Sequence, residues 1–209
     1  FFDSGIGGIA VLGEAVRMIP GHDYVYYADT LHIPYGTKPK EDVKSYILEA
    51  AEFLTSLQIE VLVVACNTAT SIAIRDLRRK YRYPVVGMEP AVKPAVERNN
   101  GKRVLVAATP LTLREEKFQN LVEKVDRDNV VDFIPLPELV GFAEEFKFED
   151  DIIIPYLENK LLHYDRAEYG TVVLGCTHFP YFKRHFGKLF DNDTAIIDGS
   201  RGTVRRLKN

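Results

Sequence analysis

Val61-Leu-Val-Val-Ala-Cys-Asn-Thr68 returns later in the chain as Thr171-Val-Val-Leu-Gly-Cys-Thr-His178. Both stretches read as a buried apolar strand, one small residue, a cysteine, and then hydroxyl or amide residues that open a helix. Phe1-Phe-Asp-Ser4 and Val106-Ala-Ala-Thr109 form a second echo, each a strand ending in a hydroxyl ahead of its helix. Two such repeats predict two related lobes. Around them, apolar runs at 61–65, 103–107, 130–134, 171–174 and 195–197, with a further strand over Tyr24–Ala28, alternate with helical stretches. Val43, Ile47, Ala50, Leu54 and Leu57 recur three or four residues apart as one apolar stripe, and 113–125 and 151–162 behave similarly. Strand, helix, strand throughout means mainly parallel sheets flanked by helices and joined by right-handed crossovers. The expected fold is therefore α/β, built as two pseudo-symmetric lobes. We expect the first lobe over 1–92, the second over 93–197, and a helix over 198–209 returning to the first lobe.

With 209 residues, 46% of them hydrophobic and 27% charged, the chain can bury a sizeable core. Lys and Arg total 27 against 30 Asp and Glu, a net charge of -3, and no basic stripe alternates with aromatics. Nucleic acid is excluded as an expected partner. No apolar run is long enough to cross a bilayer, so no membrane partner is expected and a cytoplasmic location is. The opening residues read as a strand cut short; the chain is expected to be truncated at both ends, with any targeting segment outside it. Cys66 and Cys176 are too few for a disulfide framework or a structural zinc site. No His/Cys/Asp cluster has ligand spacing, so no metal is expected.

Gly5-Ile-Gly-Gly-Ile-Ala10 fits the G-x-G-x-x-G/A spacing of a dinucleotide-binding turn. Asp29, at the end of the second strand, stands near the offset of a ribose-binding acid. Asp3-Ser4 spoil that reading, because they stand where a helix N-terminus would otherwise offer partial positive charge to a pyrophosphate. A carboxylate there repels phosphate and suits an amino group.

In parallel α/β sheets, ligands bind off the carboxyl ends of the strands, and both cysteines fall at such ends. A thiol at a helix N-terminus has its thiolate favoured, so each pKa is expected to fall from about 8.5 toward neutrality. One cysteine alone would most often be a small core hydrophobe. Repetition ahead of two polar pairs, Asn67-Thr68 and Thr177-His178, weighs against two inert residues. Inversion at a carbon acid needs a base on one face and an acid on the other, with roles exchanged in reverse. One thiol from each of two lobes meets that need, which places the active site in the cleft between them. A cysteine-protease arrangement would use a single Cys with an orienting His, and a redox pair would use C-x-x-C, which is absent.

Five segments in order carry a resemblance over nearly the whole chain. They are Phe2-Asp-Ser-Gly-Ile-Gly-Gly8, Pro34-Tyr-Gly36, Val64-Ala-Cys-Asn-Thr-Ala69, Glu89-Pro-Ala-Val-Lys-Pro-Ala95 and Leu174-Gly-Cys-Thr-His-Phe-Pro180. Together they resemble the glutamate racemases, cofactor-independent members of the aspartate/glutamate racemase superfamily. The resemblance implies a free amino acid, glutamate, as small-molecule substrate, no cofactor, a homodimer, and a role in supplying D-glutamate for peptidoglycan. It implies Cys66 and Cys176 as paired acid/base residues, the first acting on the D-enantiomer and the second on the L-enantiomer, assisted by Asp3 and His178 respectively. The middle acidic residue of the family lies in a stretch usually reading Cys-Pro-Leu-Phe-Val-x-Leu-x-Glu. Here Leu136-Pro-Glu-Leu-Val-Gly-Phe-Ala-Glu144 departs from it, so the role falls to Glu144 with Glu138 as an extra acid. The implied substrate contacts are Asp3, Ser4, Pro34, Tyr35, Gly36, Asn67, Thr68, Thr109, Thr177 and His178. Strand-end N–H groups and hydroxyls can bind carboxylate oxygens while Asp3 meets the ammonium. Aspartate racemases share the cysteine motifs but generally lack the Asp-Ser-Gly-x-Gly-Gly opening. Aspartate racemase and a non-catalytic amino-acid-binding protein of the same fold are the alternatives.

Overall fold

In a computed structural model describing residues 1–99 and 101–209, the chain forms two four-stranded parallel sheets. The first contains Phe2–Asp3 (β1), Tyr27–Ala28 (β2), Leu62–Val64 (β3) and Val85–Gly87 (β4), in the order β2-β1-β3-β4. Arg103–Ala108 (β5), Val131–Pro135 (β6), Tyr169–Leu174 (β7) and Ala195–Asp198 (β8) form the second, in the order β6-β5-β7-β8. The two orders correspond strand for strand. Thus β1 matches β5 and β3 matches β7, as the two sequence echoes require.

The helices are Ile9–Met18 (α1), Lys40–Ser56 (α2), Asn67–Lys80 (α3), Val92–Glu97 (α4), Pro110–Arg114 (α5), Glu116–Val125 (α6), Glu138–Glu144 (α7), Asp150–Lys160 (α8), Lys183–Leu189 (α9) and Ser200–Lys208 (α10). Because helices cover both faces of each sheet, the central strands read as unbroken apolar runs and not as alternating ones. On one face of the first sheet, Phe2, Leu62 and Val64 meet Ile47 and Leu54 of α2 and Leu77 of α3. On the other, Val11 and Ala15 of α1 pack with Ala65, Met88 and Val204, so α10 lies against α1. Val92 belongs to the core of the second sheet, with Val104, Val106 and Phe118.

Three local expectations need correction. The stripe from Val43 holds through Leu54, but Leu57 lies past the end of α2 and is exposed. The helix expected over 113–125 breaks at Glu115, whose backbone is extended. Glu115 turns inward to receive Lys40 Nζ from α2 at 2.7 Å, while its carbonyl accepts from Phe118 and Gln119 at the start of α6. The strand expected over Tyr24–Ala28 keeps only Tyr27–Ala28 in the sheet, because the Tyr24 hydroxyl turns back to the Ile19 carbonyl at 2.5 Å. β4 escaped the sequence reading; three residues after Tyr-Arg-Tyr-Pro are too short a run to register as a period.

In each sheet, the strand order reverses between the two inner strands, and a crevice opens there at their carboxyl ends. Asp3 and Cys66 end or follow β1 and β3; Thr109 and Cys176 follow β5 and β7. The chain passes between the sheets twice, after β4 and after β8. The two passages touch, since a Cβ placed on Gly199 would lie 2.5 Å from the Glu89 carbonyl oxygen.

Candidate active site

Cys66 is the N-cap of α3, and its Sγ accepts the Ala69 N–H at 3.4 Å, so the helix terminus holds the sulfur in place. Ser4 Oγ lies 3.7 Å from the same sulfur. Asp3 is wholly buried; its Oδ1 accepts the Gly5 N–H at 3.0 Å, and its Oδ2 has no partner among the described residues. Neither amide atom of Asn67, also buried, has one. Unpaired buried polar atoms are costly, so their presence beyond the carboxyl ends of the neighbouring strands β1 and β3 marks a place built for a polar ligand.

On the second lobe, Cys176 Sγ lies 3.8 Å from His178 Nδ1. The other ring nitrogen, Nε2, lies 2.6 Å from Glu144 Oε1 at the end of α7. That oxygen also accepts the Ile6 N–H of the first lobe at 2.8 Å. Glu138, the competing acid, faces elsewhere and receives Tyr156 at 2.7 Å and Lys160 at 3.0 Å. Geometry thus separates two acids that the sequence left side by side: Glu144 meets the histidine and Glu138 does not.

The electrostatics differ from the sequence expectation at Cys66. Burial, with Asp3 adjacent, pushes its thiol up to about 12, outweighing the Ala69 N–H that favours the thiolate. Burial likewise raises the Asp3 carboxyl, more than the nearby His178 and the Gly5 N–H lower it. Burial works against a charged His178, yet its bonds to Cys176 and Glu144 prevail and lift it to about 10. Glu144 is held below the usual carboxylate range: burial opposes this, but the His178 bond and the Ile6 N–H outweigh it.

Two glycines let the lobes meet this closely. A Cβ on Gly7 would lie 2.5 Å from Thr177 Oγ1 and 2.8 Å from His178 Nδ1. A Cβ on Gly36 would collide with the Thr109 side chain. Beside Gly36, three hydroxyls form a triangle across the cleft: Thr68 to Thr109 at 3.0 Å, Thr68 to Thr112 at 3.1 Å and Thr109 to Thr112 at 2.9 Å. Each hydroxyl has one proton and two acceptor positions, so the triangle can turn protons toward an incoming carboxylate.

Asp3, Ser4, Asn67, Thr68, Thr109, Thr177 and His178 are all buried about this cleft, with Cys66 only 4% and Cys176 only 6% exposed. Pro34 and Glu144 stand half-buried at its rim. Tyr35 is buried, but its hydroxyl donates to Asp29 Oδ2 at 2.5 Å, which leaves only its backbone to face a ligand. Asp29 also takes His32 Nδ1 at 2.8 Å, so the residue that suggested a ribose acid instead fastens the Pro34–Gly36 turn. Sequence reasoning missed Thr112, and also Tyr26 and Tyr181, whose hydroxyls donate to the Gly5 carbonyl at 2.5 Å and the Ile6 carbonyl at 2.9 Å. Thr112 carried a signal, standing three residues after Thr109 at a helix start; the tyrosines carried none. Among the described residues, no group of three His, Cys, Asp or Glu is placed to hold a metal ion, and no helix is long and apolar enough to cross a membrane.

Comparison with known proteins agrees with the fold. The family model described as Asp/Glu/Hydantoin racemase matches residues 10–207. Glutamate racemase from Halothermothrix orenii is 61% identical over 208 residues, covering 100% of this chain and 82% of its own. The fold matches that of Escherichia coli glutamate racemase in complex with L-glutamate and the activator UDP-MurNAc-ala (TM-score 0.86, 30% identity, 99% of this chain and 79% of that one). It also matches the Francisella tularensis glutamate racemase in complex with D-glutamate (TM-score 0.85, 28% identity, 99% of this chain and 78% of that one). By the motifs, the paired sheets and these matches, the chain belongs to the Asp/Glu/Hydantoin racemase family.

Proposed function

We propose that this racemase interconverts L- and D-glutamate without cofactor or metal, using Cys66 and Cys176 as the two proton carriers. The observation that carries the reading is the matched position of the thiols: one follows β3, the other follows its counterpart β7, and both are buried at the same cleft. With L-glutamate bound, the Cys176 thiolate removes the α-proton and the Cys66 thiol returns one from the opposite face. For D-glutamate the roles exchange. His178 and Glu144 attend Cys176; Ser4 and Asp3 attend Cys66. The substrate ammonium brings positive charge beside Asp3 and Cys66, which favours the ionised form of both. The orphaned atoms of Asp3 and Asn67, with the hydroxyls of Thr68, Thr109 and Thr177, supply partners for the ammonium and carboxylates.

We further propose that residues 1–92 and 93–197 act as two lobes about this cleft, that the enzyme works as a cytoplasmic homodimer, and that its D-glutamate serves peptidoglycan synthesis. Glutamate is favoured over aspartate by the names of the relatives and by the Asp3-Ser-Gly-Ile-Gly-Gly8 opening. The test is racemisation of L-glutamate in deuterated water. Deuterium is expected at the α-carbon of the D-product, because the returned proton comes from a thiol that exchanges with solvent. Retention of the original hydrogen in the product would overturn the two-carrier mechanism. Activity is expected to survive exhaustive dialysis against a chelator without added pyridoxal phosphate. kcat/KM is expected to be higher for glutamate than for aspartate, and the reverse order would transfer the assignment to aspartate.

A further inference from the structure

The geometry points to Tyr181 as a positioning residue that latches the Ser4–Gly8 loop of the first lobe over the Cys176–His178 pair of the second. Tyr181 and His178 lie three residues apart across the 3-10 turn Phe179–Phe182, a spacing that stacks side chains on one face. His178 therefore reaches Glu144 while the Tyr181 hydroxyl donates to the Ile6 carbonyl at 2.9 Å. Glu144 holds the other side of the same residue through the Ile6 N–H at 2.8 Å. One residue of the first lobe is thus gripped at both peptide groups by the second. The Tyr181 ring is braced by Phe148, with centroids 5.9 Å apart, so its hydroxyl is aimed before the loop arrives.

Asp3, Asn67 and both thiols are buried, so a ligand reaches them only when an element packed over them moves, and the latch assigns that movement to this loop. Lifting it breaks the Tyr181 bond and frees the Glu144 oxygen that steadies His178. The latch ties closure of the cleft to the orientation of the second-lobe acid pair. Nothing in the two-thiol scheme itself requires it.

The inference rests on the racemase reading for its kinetic consequence but not for its structural one, and two measurements separate them. Tyr181→Phe keeps the ring and removes the hydroxyl. Loss of one neutral hydrogen bond corresponds to roughly 3- to 10-fold in the opening equilibrium. Hydrogen exchange over Ser4–Gly8, followed by mass spectrometry, is expected to quicken by that factor while exchange in α3 stays at the parent rate. KM for both enantiomers is expected to rise, since only the closed form completes the ligand contacts. Tyr181→Leu, which keeps an apolar filler against Phe148, carries the same readouts should the phenylalanine variant fail to fold. Parent-like exchange over Ser4–Gly8 in a folded variant overturns the latch. Absence of racemisation by the parent protein would overturn the glutamate reading and leave the exchange result standing.

Discussion

On the proposed mechanism, removing a thiol from either lobe leaves one face of the substrate α-carbon without its proton carrier. Cys66→Ala and Cys176→Ala are each expected to lower kcat/KM by at least about 100-fold, the scale of a lost general acid or base. The loss must be equal in both directions, because enantiomers have the same free energy and the equilibrium constant between them is one. A variant that kept near-parent racemisation of L-glutamate would make that cysteine structural. Each variant is expected to remain folded by circular dichroism, since only one sulfur leaves a cleft lined with polar groups. Glu144 and Glu138 give a sharper contrast. Glu144 bonds His178 at 2.6 Å, so Glu144→Gln is expected to lower kcat/KM by about 10- to 100-fold, the scale of a charged hydrogen bond. Glu138 is paired with half-buried Lys160 at 3.0 Å on the surface, and such surface pairs contribute about 0 to 1 kcal/mol. Glu138→Gln is therefore expected to leave kcat/KM essentially at the parent value, and equal losses for the two variants would remove the distinction.

Among the elements, the loop between β1 and α1 has the least tolerance and the helix after it has some to spare. Gly7→Ala would drive a methyl group to 2.5 Å from Thr177 Oγ1 and 2.8 Å from the His178 backbone nitrogen. Such overpacking costs about 1 to 3 kcal/mol, and thermal unfolding is expected to move down accordingly, with activity lost because the lobes can no longer close. Gly13, inside α1, has no atom within 4 Å of an added Cβ. Gly13→Ala is expected to raise stability by about 0.5 to 1 kcal/mol in denaturant unfolding, through lower backbone entropy in the unfolded chain, without altering kcat/KM. A destabilised Gly13→Ala would mean that α1 is held by something other than its own helical backbone. Within the same few residues, then, glycine serves closeness at one position and nothing steric at another.

At the scale of the molecule, the buried site should make the fold sensitive to alkali. His178 holds its proton to about 10 in the folded protein against 6.5 in the unfolded chain. Cys66 likewise holds its proton to about 12 against 9.0. In both windows the folded state binds a proton that the unfolded state has released, so stability falls as pH rises. The His178 contribution is complete below about 6.5 and gone above about 10. That of Cys66 disappears between 9.0 and about 12. Thermal midpoints are expected to decline steadily from neutral pH upward, and His178→Gln is expected to flatten the first part of the decline. A parent midpoint that is level between pH 6.5 and 10 would contradict the raised His178 value.

Local pattern determined the α/β class, the two lobes and the two cysteines, because each is written in contiguous residues: an apolar run, a small residue, a thiol, a helix start. Val61–Thr68 and Thr171–His178 could be matched without knowing where either lay, and their strands do occupy corresponding positions in the two sheets. What tertiary structure decided are the relations between residues far apart in the chain. Only packing shows that Glu144, and not Glu138, meets His178, or that Glu115 breaks its helix to receive Lys40. The Cys66 thiol is the clearest case. Its position at the start of α3 argues for a lowered pKa, yet burial beside Asp3 raises it to about 12. A helix terminus is local and can be read in sequence. Desolvation depends on every element that closes over the group, and no contiguous stretch records it.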